Sequence, residues 1–164
     1  MSHTSRILIA VVVVLAALLV LARVRYSGKA PVKLAAQQCD ATLWDHVYDK
    51  ERLEIIEPCT AVEGRVVSVH QTGSDGDAEI LLEPATKSAL NLLNVIHNRG
   101  QLVTEIVCHH APRREAAKPA CANYRPEIML PQAGDRVRIT GSYVTDRDYG
   151  WREIHPVTRI ERLP

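Results

Sequence analysis

Gly134-Asp-Arg-Val-Arg-Ile-Thr-Gly-Ser-Tyr-Val144 is the stretch whose reading decides the fold. Val137, Ile139, Gly141 and Tyr143 alternate with Arg136, Arg138 and Thr140, and a strict period of two is the signature of a half-buried strand. Outward from this strand, others follow in both directions. Glu153–Glu161 is the last, and Pro156 within it predicts an edge position or a bulge. Leu102–Cys108 precedes the central stretch. Ala78–Glu83 alternates cleanly, with Ala78, Ile80 and Leu82 on one face. Ala61–His70 places Val62, Val66, Val67 and Val69 so that the apolar face switches near Val66, as a bulge or sharp coil requires. Gly73-Ser-Asp-Gly-Asp77 is a tight turn.

Two segments carry helical spacing. Asp40 caps a run in which Leu43, Trp44, Val47 and Tyr48 recur, and Pro58 is expected to stop this segment before Cys59. Ala85–His97 places Leu90, Leu93, Asn94 and His97 on one helical face. The chain therefore reads as mainly β. A small five-stranded OB-like Greek-key barrel with one or two short helices is expected, preceded by an N-terminal transmembrane helix. An OB barrel carries its helix between the third and fourth strands, whereas here it falls between the second and third. A missed strand at Glu127–Leu130 would restore the usual order. The chain has no phenylalanine and 4% aromatic residues, so Trp44, Trp151 and the tyrosines are expected to fill most of the bulky core.

Ile7–Ala22 is free of charge and bracketed by Arg6 and Arg23. As a helix it would reach about 24 Å, and Val24 with the two arginine stems extends it toward the ~30 Å hydrocarbon core. The organisation is then a short tail at 1–6, an anchor or uncleaved signal at 7–24, a juxtamembrane linker at 25–38 and the OB-like domain at 39–164. No convincing small-residue cleavage site follows the run. Arg23, Arg25, Lys29 and Lys33 after the run would by charge place the domain in the cytoplasm. Four cysteines in a domain this small argue for an oxidising compartment, and an extracytoplasmic domain on a single-pass membrane anchor is the expectation. Net charge is +1 with 24% charged residues, which excludes a strong field recruiting polyanions.

Order and spacing along the domain carry a resemblance. Cys39, Leu43-Trp44-x-His46-Val47-Tyr48, Arg52-Leu53, Pro58-Cys59 and Asp75-Gly76-Asp77 come first. Leu92-Leu93-Asn94, Val107-Cys108, Ala120-Cys121, Gly134-Asp135-x-Val137 and Gly141-x-Tyr143-Val144-x-Asp146 follow. Gly150-Trp151-x-Glu153-Ile154-His155-Pro156-Val157 ends the set. The pattern covers nearly all of residues 39–160 and resembles a family of small bacterial extracytoplasmic domains without an assigned activity. The resemblance implies export and paired cysteines and transfers no catalytic residue. At Tyr149 the chain departs from it, since histidine often precedes Gly-Trp there.

Sequence order allows three cysteine pairings. Cys39–Cys59 would staple the aromatic helix to the first strand, and Cys108–Cys121 would close the loop 109–120. Each bond would be worth about 3 kcal/mol in the chain-entropy model. Zinc at Cys108, His109, His110 and Cys121 is the competing reading, but neighbouring histidines rarely face one ion and the paired spacing of zinc sites is missing. Trp151, Glu153 and His155 share a strand face, and a carboxylate beside an imidazole suits general acid–base chemistry. With Asp146 and Asp148 in the preceding turn, a small metal-assisted site is the enzymatic reading. The alternative is a hydrogen-bonded Glu153–His155 pair that Trp151 shields. Asp75 and Asp77 lack the calcium-loop pattern and read as a hairpin turn. Arg65, Arg136 and Arg138 lack interleaved aromatics, which disfavours nucleic acid. No cofactor and no resident metal is expected.

The function expected from these features is a membrane-anchored extracytoplasmic binding or interaction module, its partner an unnamed protein or small ligand. A small hydrolase using Glu153 and His155 is the first alternative, and a structural envelope component the second.

Overall fold

A computed structural model describes residues 31–35, 38–71 and 73–164. The expected anchor at 7–24 lies outside the described residues, among which no helix is long and apolar enough to cross a membrane. Among the described residues six strands appear in chain order: β1 Val32–Lys33, β2 Leu53–His70, β3 Ala78–Pro84, β4 Leu102–Ile106, β5 Arg136–Asp146 and β6 Arg152–Arg162. One α-helix among the described residues, α1, spans Leu92–His97. The fold is mainly β, as the alternation predicts.

The strand order is β1-β2-β3-β4-β6-β5, with β2 also pairing β5, so β2 to β6 close on themselves. All pairings are antiparallel except β4 with β6. The closure depends on the length of β2. Its residues Leu53–Arg65 pair with β5 and Gly64–His70 pair with β3, so one coiled strand serves two neighbours. The coil is made by bulges. Val66 pairs Leu82 and Ser68 pairs Leu81, leaving Val67 as the extra residue, 40% exposed, where the face switch predicts it.

The start of this strand differs from the sequence expectation. Pro58 does not stop a segment, because β2 runs through it from Leu53. The register shifts between Glu57 and Thr60, so Pro58 sits at an irregularity where no ladder donor is required. The carbonyl of Pro58 accepts from Ser142 Oγ at 3.0 Å. Two residues of the expected linker, Val32 and Lys33, add a short strand against Thr60 and Ala61. Glu127–Leu130 forms no strand. Cys108 ends β4 early, since its φ of 55° leaves the extended region.

The helical expectations hold in compressed form. Ala41–His46 is a 3₁₀ turn rather than an α-helix, capped by Asp40, whose carboxylate accepts from Thr42 N at 2.9 Å. Its entry is pinned by the Cys39–Cys59 bond and its exit by His46, whose Nδ1 lies 2.7 Å from the Ala120 carbonyl. Within Ala85–His97 only α1 is α-helical, and Asn91 and Asn94 close a reciprocal capping box at its start.

Val62, Val66, Ile80, Leu82, Leu102, Ile106, Val137, Ile139, Ile154 and Val157 fill the barrel, with Tyr143 the one aromatic among its buried residues. Trp44 and Trp151 are only half-buried. Branched aliphatic side chains fill the taper of a narrow barrel, which corrects the expectation of an aromatic core. The β5–β6 pair is bulged around Gly141, across from Pro156, and the His155–Pro156 peptide is cis. Pro156 thus occupies a bulge, not an edge. A side chain at Gly141 would collide with the Pro156 carbonyl oxygen and come within 2.7 Å of Ile154, so only glycine permits this approach.

A second, smaller cluster lies outside the barrel. Leu43 and Val47 pack with Leu53, Val107, Cys108, Cys121 and Val144. Both disulfides, Cys39–Cys59 and Cys108–Cys121, form as the local segments predict, with Cα separations of 5.6 and 5.3 Å. His46 stacks on Tyr124 with ring centroids 3.8 Å apart, so the two stapled segments clasp each other.

Candidate functional site

Strand alternation decides which residues meet at the clasp. Ile154 enters the barrel core, so Glu153 and His155 leave β6 on its opposite face. On β4, Leu102 and Ile106 point into the core and Glu105 points out beside them. The parallel pairing of β4 with β6, Val103 opposite Glu153, brings Glu105 to the imidazole. His155 Nδ1 lies 2.8 Å from Glu105 Oε2 and 3.2 Å from Glu153 Oε1. Trp151 donates its indole N–H to the other Glu153 oxygen at 3.0 Å. The shared face of Trp151, Glu153 and His155 is therefore real, and the three form one chain of hydrogen bonds.

Three charged residues complete the cluster. Arg52, just before β2, pairs with Asp146 and lies 3.7 Å from Glu105 and 4.0 Å from Glu153. Asp77, at the mouth of β3, holds its Oδ2 3.6 Å from His155 Nε2, while its Oδ1 accepts from Cys108 N at 2.8 Å. Glu153 and Asp146 are 1% exposed, His155 0% and Asp77 7%. Four carboxylates thus face one guanidinium and one imidazole.

Desolvation and pairing compete at each group. Burial pushes the His155 imidazolium down, but the charge of Glu105 and hydrogen bonds to Glu105 and Glu153 outweigh it and hold its pKa at about 10. Burial raises Asp77 to about 7, opposed by His155 and reinforced by Glu105 and Asp75. For Glu105, burial acts upward and is overcome by His155 and Arg52, so its carboxyl stays below the usual range. Glu79, which pairs across from Glu105, is raised by burial and by that neighbour.

The sequence-predicted residues distribute unevenly around this centre. Glu153, His155 and Asp146 belong to it, and Trp151 covers one edge. Asp148 is exposed; its backbone N–H closes the β5–β6 turn onto Asp146 Oδ1 at 2.8 Å. Asp75-Gly76-Asp77 makes the expected turn, with Gly76 at φ 100°, yet Asp77 also reaches inward. Cys108 and Cys121 are bonded to each other and offer no thiolate to zinc. Of the outward arginines, Arg138 pairs with Glu63 at 2.6 Å and Arg65 donates to the Gly134 carbonyl at 2.9 Å. Arg52 and Glu105 were not singled out in the sequence as chemistry. Glu105 is the one charged residue of β4, and that is the available signal.

A separate concavity of about 430 Å³ opens on the outer side of the barrel where β1 meets it. Val32, Leu34 and Ala61 supply apolar surface, and Arg138 and Arg159 supply charge. No protein-family model matches the chain, and no curated protein matches it.

Proposed function

We propose that the chain is a membrane-anchored extracytoplasmic binding module built on an OB-type barrel, taking its ligand or protein partner along the groove beside β1. The barrel reading is supported by closure in the order β2-β3-β4-β6-β5 with a single parallel pair, the order in which an OB barrel arranges five strands. The extracytoplasmic reading is supported by the two disulfides. The observation that carries the binding function is a division of labour. The acid–base residues Glu153 and His155 are buried, while the open groove joins an apolar floor to a charged rim, as ligand sites do.

That enclosure weighs against the hydrolase alternative, because His155 is 0% exposed and its Nδ1 already faces two carboxylates. An envelope component is the second reading, and one observation favours it. Leu92, Val95 and Ile96 are 69%, 38% and 60% exposed on one face of α1, held against the β5–β6 turn by Asn91 and Asn94. An apolar face of this kind suits packing against a neighbouring envelope protein.

Two results test the proposal. Alkaline phosphatase fused after Pro164 is expected to be active in a bacterial host; an inactive fusion with cytoplasmically labelled thiols refutes the location. Arg159→Glu and Val32→Glu in the full chain are expected to lose the partner or ligand that co-purifies with the parent, without a change in melting temperature. Retention by both variants refutes the groove. Loss on Leu92→Glu instead selects the envelope reading.

A further inference from the structure

We propose that His155, Asp77 and Glu105 bind one divalent cation of the zinc class, a site beyond the binding function and contrary to the sequence expectation of no metal. The three residues bring one donor atom each to within 4.8 Å of one another. A group of acids alone would not carry this, but His155 does. Its side chain is fully buried, its Nε2 has no hydrogen-bond partner, and that nitrogen faces Asp77 Oδ2.

The separation of 3.6 Å between those atoms is informative. It is too long for a hydrogen bond. Nitrogen and carboxylate donors each about 2.1 Å from a tetrahedral ion stand about 3.4 Å apart, close to what is found here. The other side of the ring is already prepared. Nδ1 lies 2.8 Å from Glu105 Oε2 and 3.2 Å from Glu153 Oε1, so when Glu105 turns from Nδ1 to the ion, Glu153, itself held by the Trp151 indole, still accepts from Nδ1–H and keeps Nε2 facing Asp77. Carboxylate–histidine–metal sites orient their ligands in this way.

Charge gives the same answer. Asp77, Glu105, Glu153 and Asp146 outnumber Arg52 and His155. A divalent ion that displaces the imidazole proton adds one positive charge to that deficit. Access is limited to one side, where the carboxylates of Glu105 and Asp77 are 18% and 8% exposed. The ion would join the start of β3, the end of β4 and the middle of β6, a clamp on the fold with no room for substrate.

The test uses the full-length chain in detergent, stripped with chelator and titrated with zinc chloride by calorimetry. Saturable uptake of about one equivalent is expected, with a rise in melting temperature by mass action. Asp77→Asn keeps an oxygen for the Cys108 N–H while removing a charged ligand. It is expected to melt like the parent without metal and to bind zinc at least roughly tenfold more weakly. A variant with alanine at both His109 and His110 is expected to bind as the parent does. Absent saturable uptake, parental affinity in Asp77→Asn, or loss of binding in the His109/His110 variant each overturns the proposal.

Discussion

Arg52→Met is expected to destabilise the domain by about 3–5 kcal/mol, the cost of leaving buried charge without its counterion. The guanidinium pairs with Asp146 and lies 4.0 Å from Glu153, whose side chains are each 1% exposed, and its own side chain is 15% exposed. Methionine preserves the stem and removes the charge, so Asp146 and Glu153 lose a counterion inside a packed clasp. Asp146 also anchors the β5–β6 turn, accepting from Asp148 N at 2.8 Å, and the turn is expected to loosen with it. Urea unfolding of the chelator-treated chain measures the effect. Arg138→Met is the comparison, since its partners Glu63 and Glu161 are exposed and the pair is screened by water. Equal losses from the two variants would show that the cluster has no special weight.

Alkaline pH is expected to weaken the metal-free domain by an amount on the order of a few kcal/mol, mostly between about pH 6.5 and 10. His155 holds its proton to about pH 10 when folded and to about 6.5 when unfolded. A folded-state value that is raised gives a contribution complete below the unfolded value and lost as pH rises through the folded one. Asp77 has the same sign: raised to about 7, it favours the folded state at low pH and loses that advantage by neutrality. Glu105 has the opposite sign, because its lowered value makes its contribution disappear as pH falls. Stability should therefore peak on the acidic side of neutrality. Denaturant midpoints from pH 4 to 10 trace the curve, and His155→Gln is expected to flatten its alkaline limb. An unchanged limb in that variant would assign the loss to other groups.

Much of the frame was legible because strand signals are local. The alternation at Val137–Tyr143 and the common face of Trp151, Glu153 and His155 follow from a period of two, the bulge near Val66 from a break in it, and the turn at Asp75–Asp77 from its glycine and aspartates. The helices were less legible. Ala41–His46 is held at both ends by a disulfide and a histidine contact and winds as a 3₁₀ turn, whereas α1, of the same length, starts from a reciprocal capping box. Pro58 misled because a proline at a bulge interrupts no ladder, and nothing in its neighbours announced the bulge.

By itself the sequence determined the five main strands and their faces, and it pointed to the two short-range disulfides and to Glu153 and His155 as neighbours. Each depends on backbone periodicity or on cysteines 20 and 13 positions apart. Only the tertiary structure decided that Arg52, Asp77 and Glu105 surround that pair. They come from the start of β2, the mouth of β3 and the end of β4, and no local pattern relates them. Closing β2 onto β5 and laying β4 parallel to β6 fixes the registers that bring them together. The clasp of the two stapled segments excludes water, and it is this exclusion that turns a strand's ordinary charged face into a buried charge cluster.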